Sequence, residues 1–380
     1  MKLIDYEYCS DTALPSILQK LFPNDRLLFL DIETTGLSAE YTTLYLIGAL
    51  WFDHGRLMLR QWLNETGQNE QDILTDFLQF SDAFNHLVHF NGSGFDIPYL
   101  KQKATLHSLD FHLDTDYAQT DLFRSVRPYR KLLATDSLKL SALAAYLGIE
   151  RKDRHSGKEL IRLYQKYAAK PDEETEKILL LHNHDDLLCL PSVARLLSLD
   201  TFFKDIPLTT AKMQIEPASF PASPDISSNS TDIPLIPIRQ LAIRFTYDDV
   251  SSLPARLSLT RNGIYLNALG QEGLLICPIF HGTLKHFFPD YKNYYYLPKE
   301  DMAIHKSVAI YTEPQHRKKA TRSTCYVRRE CDFIPCPDPD YSEQFKQSDA
   351  DLAGFQTLES LSEHPELLNS YIRHTLYHFV

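Results

Sequence analysis

Residues 27–37, LLFLDIETTGL, run from four apolar side chains into two carboxylates, Asp31 and Glu33, and then into a Thr34-Thr35-Gly36 turn. A short apolar run bounded by polar residues reads as a buried strand. Side chains on a strand alternate between its faces, so Asp31 and Glu33 leave one face about 7 Å apart. Two carboxylates on one face can share or bridge a cation. Taken singly, the same residues also fit a polar strand end that enters a turn.

Two further blocks carry acids in comparable settings. In residues 86–100, HLVHFNGSGFDIPYL, a second strand-type run leads to Asp96. Alone, Asp96 also fits the N-cap of a helix opening near Ile97 and Pro98. In residues 179–190, LLLHNHDDLLCL, His182 stands four residues before Asp186 on a predicted helix, the spacing of neighbours on one face. A solvated helix face would carry the same pair. His184 points about 200° around that helix from His182.

Taken together, the blocks place acids where strand ends and a helix face can converge. A phosphodiester is already anionic, so water attacks it usefully only when cations screen the charge and hold the nucleophile in line. Mg²⁺ and Mn²⁺ suit this chemistry and prefer hard oxygen ligands. The joint pattern therefore reads as a metal-dependent nuclease site.

DIETTGL, NGSGFDIPYL and HNHDD resemble motifs one, two and three of the DEDD superfamily of DnaQ-like 3′ to 5′ exonucleases, which have the ribonuclease-H-like fold. Residues 138–167, LKLSALAAYLGIERKDRHSGKELIRLYQKY, are similar to the matching segment of YprB-type exonucleases. The resemblance covers roughly the first 200 residues, the size of one domain. It implies two divalent cations, Mg or Mn, and a single-stranded DNA or RNA 3′ end as substrate. By resemblance Asp31 bridges both ions, Glu33 and Asp186 hold the ion that carries the attacking water, and Asp96 holds the other through water.

His182 sits at the spacing where one subfamily has Tyr, and Leu181 stands where the other has His. His182 is thus the candidate that orients or deprotonates the water. The resemblance further assigns Thr34, Thr35, Gly36 and Leu37 to the terminal nucleotide, through backbone contacts and an apolar wedge. It assigns Asn91 and Phe95 to the sugar and a stacked base. Turn or core roles fit these six residues equally well. Two alternatives keep the same fold: a nonhydrolytic nucleic-acid-binding or scaffold protein, and a structure-specific endonuclease.

The 380 residues suggest two domains, and 43% hydrophobic with 23% charged residues is the balance of a globular protein. No apolar run is long enough for a membrane span, and the first residues lack the features of a signal peptide, so the cytoplasm is the expected address. The six cysteines follow no disulfide framework. Residues 1–200 hold 21 Lys or Arg against 29 Asp or Glu, and the rest 18 against 21. Neither half is basic, but an acidic pit neutralised by cations is compatible with a nucleic-acid substrate.

The expected architecture is a ribonuclease-H-like mixed sheet flanked by helices over residues 1–205, a Pro/Ser-rich linker over 206–237, and a β-rich domain with terminal helices over 238–380. Strands are predicted near 27–32, 43–52, 56–63 and 86–90. Helices are predicted near 70–80, 97–106, 139–147, 157–169 and 173–198, the last kinked or broken at Pro191. In the second half, Asn262-Gly263 marks a hairpin turn, and helices are expected near 351–362 and 366–379. From Pro314 to Arg329 there are six Lys or Arg and no acid, close behind Tyr294, Tyr295 and Tyr296. This stretch is either a nucleic-acid contact or an ordinary solvated face.

Overall fold

The first compact unit, residues 1–199, has a core on each face of one sheet. The computed structural model describes residues 1–8, 14–218, 239–337, 343–352 and 354–380. Within it, β1 (Lys2–Tyr8), β2 (Leu27–Thr34), β3 (Leu44–Asp53), β4 (Arg56–Leu63), β5 (His86–His89) and β6 (Ala118–Asp121) form one sheet in the order β1-β4-β3-β2-β5-β6. The β1-β4-β3-β2 part is antiparallel, and β5 and β6 join parallel to β2. This mixed meander followed by parallel strands is the expected sheet.

Helix α1 (Ser16–Leu21) precedes β2. Leu28, Leu30 and Ile32 of β2 point to a core closed by α2 (Glu70–Ser81) and α3 (Asp96–Leu106), through Ile73, Leu74, Phe77, Ile97 and Leu100. Short helices α4 (Leu122–Val126) and α5 (Leu140–Tyr146) follow. Tyr45, Leu46 and Leu63 pack a second core against α6 (Gly157–Ala169) and α7 (Glu173–Ala194). Leu160, Tyr164 and Tyr167 of α6 recur at the spacing of one helix face, which is why α6 lies flat on that core.

Several boundaries differ from the sequence reading. Strand β1 is a largely exposed edge strand, and β6 spans four residues, AQTD, so neither offers an apolar run to detect. Helix α7 continues through Pro191 without a break and ends at Ala194, where a 3₁₀ turn, Arg195–Leu197, takes over. Most of the predicted linker's first part is no linker. Leu208–Pro217 forms β7, paired along its length with β8 (Arg239–Tyr247); residues 219–238 lie outside the described residues.

The second unit, residues 200–380, begins within a short helix α8 (Ser198–Lys204). A five-stranded antiparallel sheet contains β7, β8, β9 (Leu253–Arg261), β10 (Ile264–Gly270) and β11 (Glu272–Pro278), in the order β7-β8-β11-β10-β9. Asn262 and Gly263 both take positive φ at the β9–β10 hairpin, 52° and 75°, as that dipeptide requires. The sheet β12-β16-β17 contains β12 (Phe280–Phe287), β16 (Tyr326–Cys336) and β17 (Gly354–Thr357). A smaller sheet, β14-β13-β15, contains β13 (Tyr294–Leu297), β14 (Met302–His305) and β15 (Lys318–Lys319), with a one-turn helix α9 (Lys306–Ala309). Helices α10 (Leu358–Glu363) and α11 (Pro365–Tyr377) close the chain. Helix α10 starts later than predicted because residues 354–357 pair with β16 instead.

Candidate active site

The face of β2 opposite the α2–α3 core carries Asp31 and Glu33, and α7 passes over it. Gly48 of β3 stands directly across from Asp31. A Cβ on Gly48 would lie 2.1 Å from Asn183 Oδ1 and 2.6 Å from Leu187 Cδ1, so glycine is what lets α7 come this close. Asn183 Nδ2 then donates to Asp31 Oδ2 at 2.7 Å, and the buried Gln61 donates to Asn183 Oδ1 at 2.8 Å and to the Leu180 carbonyl at 2.9 Å. This Gln61–Asn183–Asp31 chain fixes both the helix and the carboxylate.

Asp96 is the first residue of α3, with Phe95 in the N-cap position. Its buried carboxylate accepts from its own backbone N–H and from that of Ile32, and this brings it beside the β2 pair. The 90–95 loop is held for the purpose by Asp121, whose two oxygens accept from Asn91 N (2.9 Å) and Ser93 N (3.3 Å).

The α7 residues complete the cluster. His182 Nε2 lies 3.5 Å from Glu33 Oε1 and 3.8 Å from Asp186 Oδ2. On its other edge, His182 Nδ1 lies 2.7 Å from Asp153 Oδ2, a carboxylate buried in the 150–156 loop. That loop is pinned by Asp185, which accepts from Lys152 N at 2.6 Å and Asp153 N at 2.8 Å. The two adjacent aspartates therefore divide the labour: Asp185 holds the loop and Asp186 faces the site. The same loop brings Arg151, which pairs through Nη1 with Asp186. His184 bonds to Tyr8 and packs edge-on to Tyr6, on a different side of α7 from His182.

The electrostatics follow from crowding four acids into a partly buried pit. Asp31 is held well above the usual carboxylate range by burial and by the charges of Asp186, Glu33 and Asp96. Burial pushes Glu33 up to about 7 against the opposing pull of His182, and Asp96 also to about 7. Asp186 is raised by burial despite Arg151 and His182. Burial works to lower His182, yet Glu33, Asp186 and Asp153 together raise it. Among the described residues, the cationic groups paired with these four acids are Arg151, on Asp186, and His182.

The donor set fits divalent cations. One ligand atom each from Glu33, His182 and Asp186 lies within 4.8 Å of the other two, and the cluster is rich in hard oxygen donors. Its uncompensated negative charge is what such an ion would relieve.

The remaining sequence candidates are more dispersed in role. Thr34 Oγ1 donates to the Gly36 carbonyl and Thr35 Oγ1 accepts from Thr43 N, so both hydroxyls serve the turn after β2. Gly36 sits where a Cβ would meet Thr42 Cγ2 at 2.7 Å. Leu37 is 86% exposed and available to a ligand. Asn91 takes a left-handed backbone, φ 63°, with its side chain exposed, whereas Phe95 packs against the α2–α3 core and Tyr99. Asn183, Gln61, Arg151 and Asp153 are site residues that the motif reading missed. Asn183 had a positional signal, its i,i+3 spacing to Asp186 on the motif-three helix, and Arg151 and Asp153 lay inside the quoted 138–167 segment, which gave neither a role.

Residues 28–198 match the family model RNase_H_2, described as RNase_H superfamily. Over that span the first unit has the mixed sheet and flanking helices of a ribonuclease-H-like fold. Its matched span runs from the start of β2 to just past α7 and so contains every acid of the cluster. No curated protein matches the chain significantly. Among solved structures, about half of this chain is similar to parts of larger nucleic-acid enzymes. One is the family B DNA polymerase of the hyperthermophilic archaeon Pyrobaculum calidifontis, with 18% identity, 47% of this chain and 26% of that chain covered, and a TM-score of 0.38. Another is E. coli exonuclease I in complex with a dT13 oligonucleotide, with 14% identity, 51% and 49% covered, and a TM-score of 0.32. The chain spans about half or less of the length of these structures.

Proposed function

We propose that the protein is a 3′ to 5′ exonuclease of the DEDD type, close to the YprB-type proteins, that hydrolyses single-stranded DNA or RNA from its 3′ end. The observation that carries this reading is the convergence of Asp31, Glu33, Asp96 and Asp186 around one partly buried pit with His182 on its rim. Asp31, Glu33, Asp96 and Asp186 would hold two divalent cations, Mg or Mn, which supply charge neutralisation at the scissile phosphate and acidify a water.

The chain's own residues do the rest. Asp153 takes the Nδ1 proton of His182 into a 2.7 Å hydrogen bond, so Nε2 is the nitrogen turned to the pit, where it can accept a proton from the attacking water. Glu33 and Asp186 favour the protonated imidazole, so their neutralisation frees Nε2 as a base. Asn183 keeps Asp31 turned toward the pit through its 2.7 Å hydrogen bond. Exposed Leu37 stands just beyond the metal-binding strand as a wedge for the terminal base. Among the described residues no helix is long and apolar enough to cross a membrane. The cytoplasmic address stays part of this reading, and the cysteines among the described residues, all free, suit a reducing compartment.

A second reading is favoured by one observation, the Arg151 guanidinium seated on Asp186. An arginine that stands permanently in for a cation would make this a nonhydrolytic nucleic-acid-binding protein. One gel decides. With Mn²⁺ and 5′-labelled single strands, a ladder shortening from the 3′ end supports the exonuclease, internal cuts indicate an endonuclease, and retention without cleavage indicates the binding protein. Asp31→Asn is expected to lower turnover by about a hundredfold or more while leaving the fold intact. Unchanged cleavage by this variant would end the assignment.

A further inference from the structure

The second unit carries a basic, aromatic lobe that the nuclease reading does not use. Residues 291–324 hold seven Lys or Arg against three acids, within a chain whose net charge is −11. One of those acids, Asp301, is already engaged: Tyr296 donates to it at 2.5 Å, Tyr326 donates to the same oxygen, and Arg328 pairs with it at 3.1 Å. The lobe's positive excess is therefore local and turned outward. Lys306, Lys318, Lys319 and Arg322 are all exposed.

The lobe also exposes apolar and aromatic side chains. Its three-stranded sheet has β13 in the centre, with Tyr295 directly opposite Lys319 on β15 and the Arg317 guanidinium 4.9 Å from the Tyr295 ring centre. Arg317 is locked there by donating to the Ala309 carbonyl. Beyond Ala309, Ile310 and Tyr311 are 65% and 86% exposed, and Val308 is 56% exposed. Exposed apolar side chains gathered in one short segment mark a surface that a ligand can cover.

We propose that this lobe is a docking surface for single-stranded nucleic acid. Phosphates pair with the lysines, and unpaired bases stack on Tyr311 and its apolar neighbours. A duplex would use the lysines but keep its bases stacked internally, so the exposed tyrosine and isoleucine point to the single strand. For the class of ligand the inference rests on the nuclease reading, to which it adds a separate contact for the strand.

The test measures affinity without turnover. Fluorescence anisotropy of a labelled 20-nucleotide oligothymidylate is followed with the full chain in EDTA, from 50 to 200 mM KCl. Tyr311→Ala, at a site too exposed to disturb folding, is expected to weaken binding about fivefold or more. K318E/K319E is expected to weaken it at least tenfold and to flatten its dependence on salt. The charge-matched pair K20E/K204E, outside the lobe, is expected to bind like the parent. Unchanged affinity for Tyr311→Ala, equal loss in both charge-reversed pairs, or tighter binding of a duplex overturns the proposal. The two readings fail separately. A chain that cleaves but whose affinity ignores the lobe loses only this inference, and one that binds through the lobe without cleaving loses only the nuclease.

Discussion

At the residue scale, the His182–Asp153 pair is the most specific arrangement in the pit, because it gives one imidazole two different faces. Asp153 lies on Nδ1, and Nε2 is left to Glu33 and Asp186. If Nε2 is the base, His182→Ala should cost about 10²–10⁴-fold in kcat. Asp153→Asn should cost about 10–100-fold, the usual penalty for removing the partner that orients a site histidine. It should also move the acid limb of the pH–rate profile to lower pH, since Asp153 is one of the groups that raise His182. A purely structural role for Asp153 would lower the rate and leave the limb in place. The four acids and His182 were legible in the sequence because each sits beside an apolar run that names its element. Asp153 and Arg151 were not, because they lie in a loop whose position depends on Asp185, and no local pattern reports that contact.

At the scale of elements, the site depends on how closely α7 lies on β3, and Gly48 sets that distance. Gly48→Ala places a methyl against Asn183 and Leu187, so α7 must lift or Asn183 must turn away from Asp31. Overpacking of this kind costs about 1–3 kcal/mol, read from the denaturant midpoint. Activity should fall by more than the stability loss accounts for, and wild-type turnover in a folded Gly48→Ala protein would dismiss the close approach as a functional constraint. The loop after β2 is fixed in a different way. Glu70 accepts from Leu44 N at 2.6 Å and pairs with the buried Lys103 at 2.9 Å, and Lys103 also reaches the Thr42 carbonyl. Removing one partner of such a pair leaves a buried charge, so Glu70→Ala should cost about 3–5 kcal/mol in a chemical melt, against less than about 1 for the exposed Lys101–Asp114 pair. These element contacts explain where the sequence reading stopped. Strands β2 to β5 and the long helices declare themselves by apolar periodicity, whereas β1, β6 and β7 are held by partners rather than by their own composition.

At the scale of the whole molecule, the pit makes folding stability depend on pH and on divalent ions. Glu33 ordinarily titrates at 4.5 and rises to about 7 in the fold, so between these values the folded state keeps a proton that the unfolded chain has released. The stability associated with Glu33 is therefore complete below pH 4.5 and is lost as pH climbs through 7. Asp96 and Asp31 shift upward too and act in the same direction, as does His182. Asp153 shifts downward, and its contribution changes only below its ordinary value of 3.8, outside this window. In EDTA the parent protein should thus melt lower at pH 8 than at pH 5. Glu33→Gln removes one ionisation and should be the more stable of the two at pH 8 by an amount on the order of 3 kcal/mol, with little difference at pH 5. Added Mg²⁺ or Mn²⁺ at pH 8 should raise the parent's melting temperature more than the variant's, because a tighter-binding ion stabilises the folded state more and a neutral amide is a poorer ligand than a carboxylate. Equal melting temperatures for parent and variant in EDTA at pH 8, unmoved by either ion, would mean that the four carboxylates carry no repulsion for a cation to relieve.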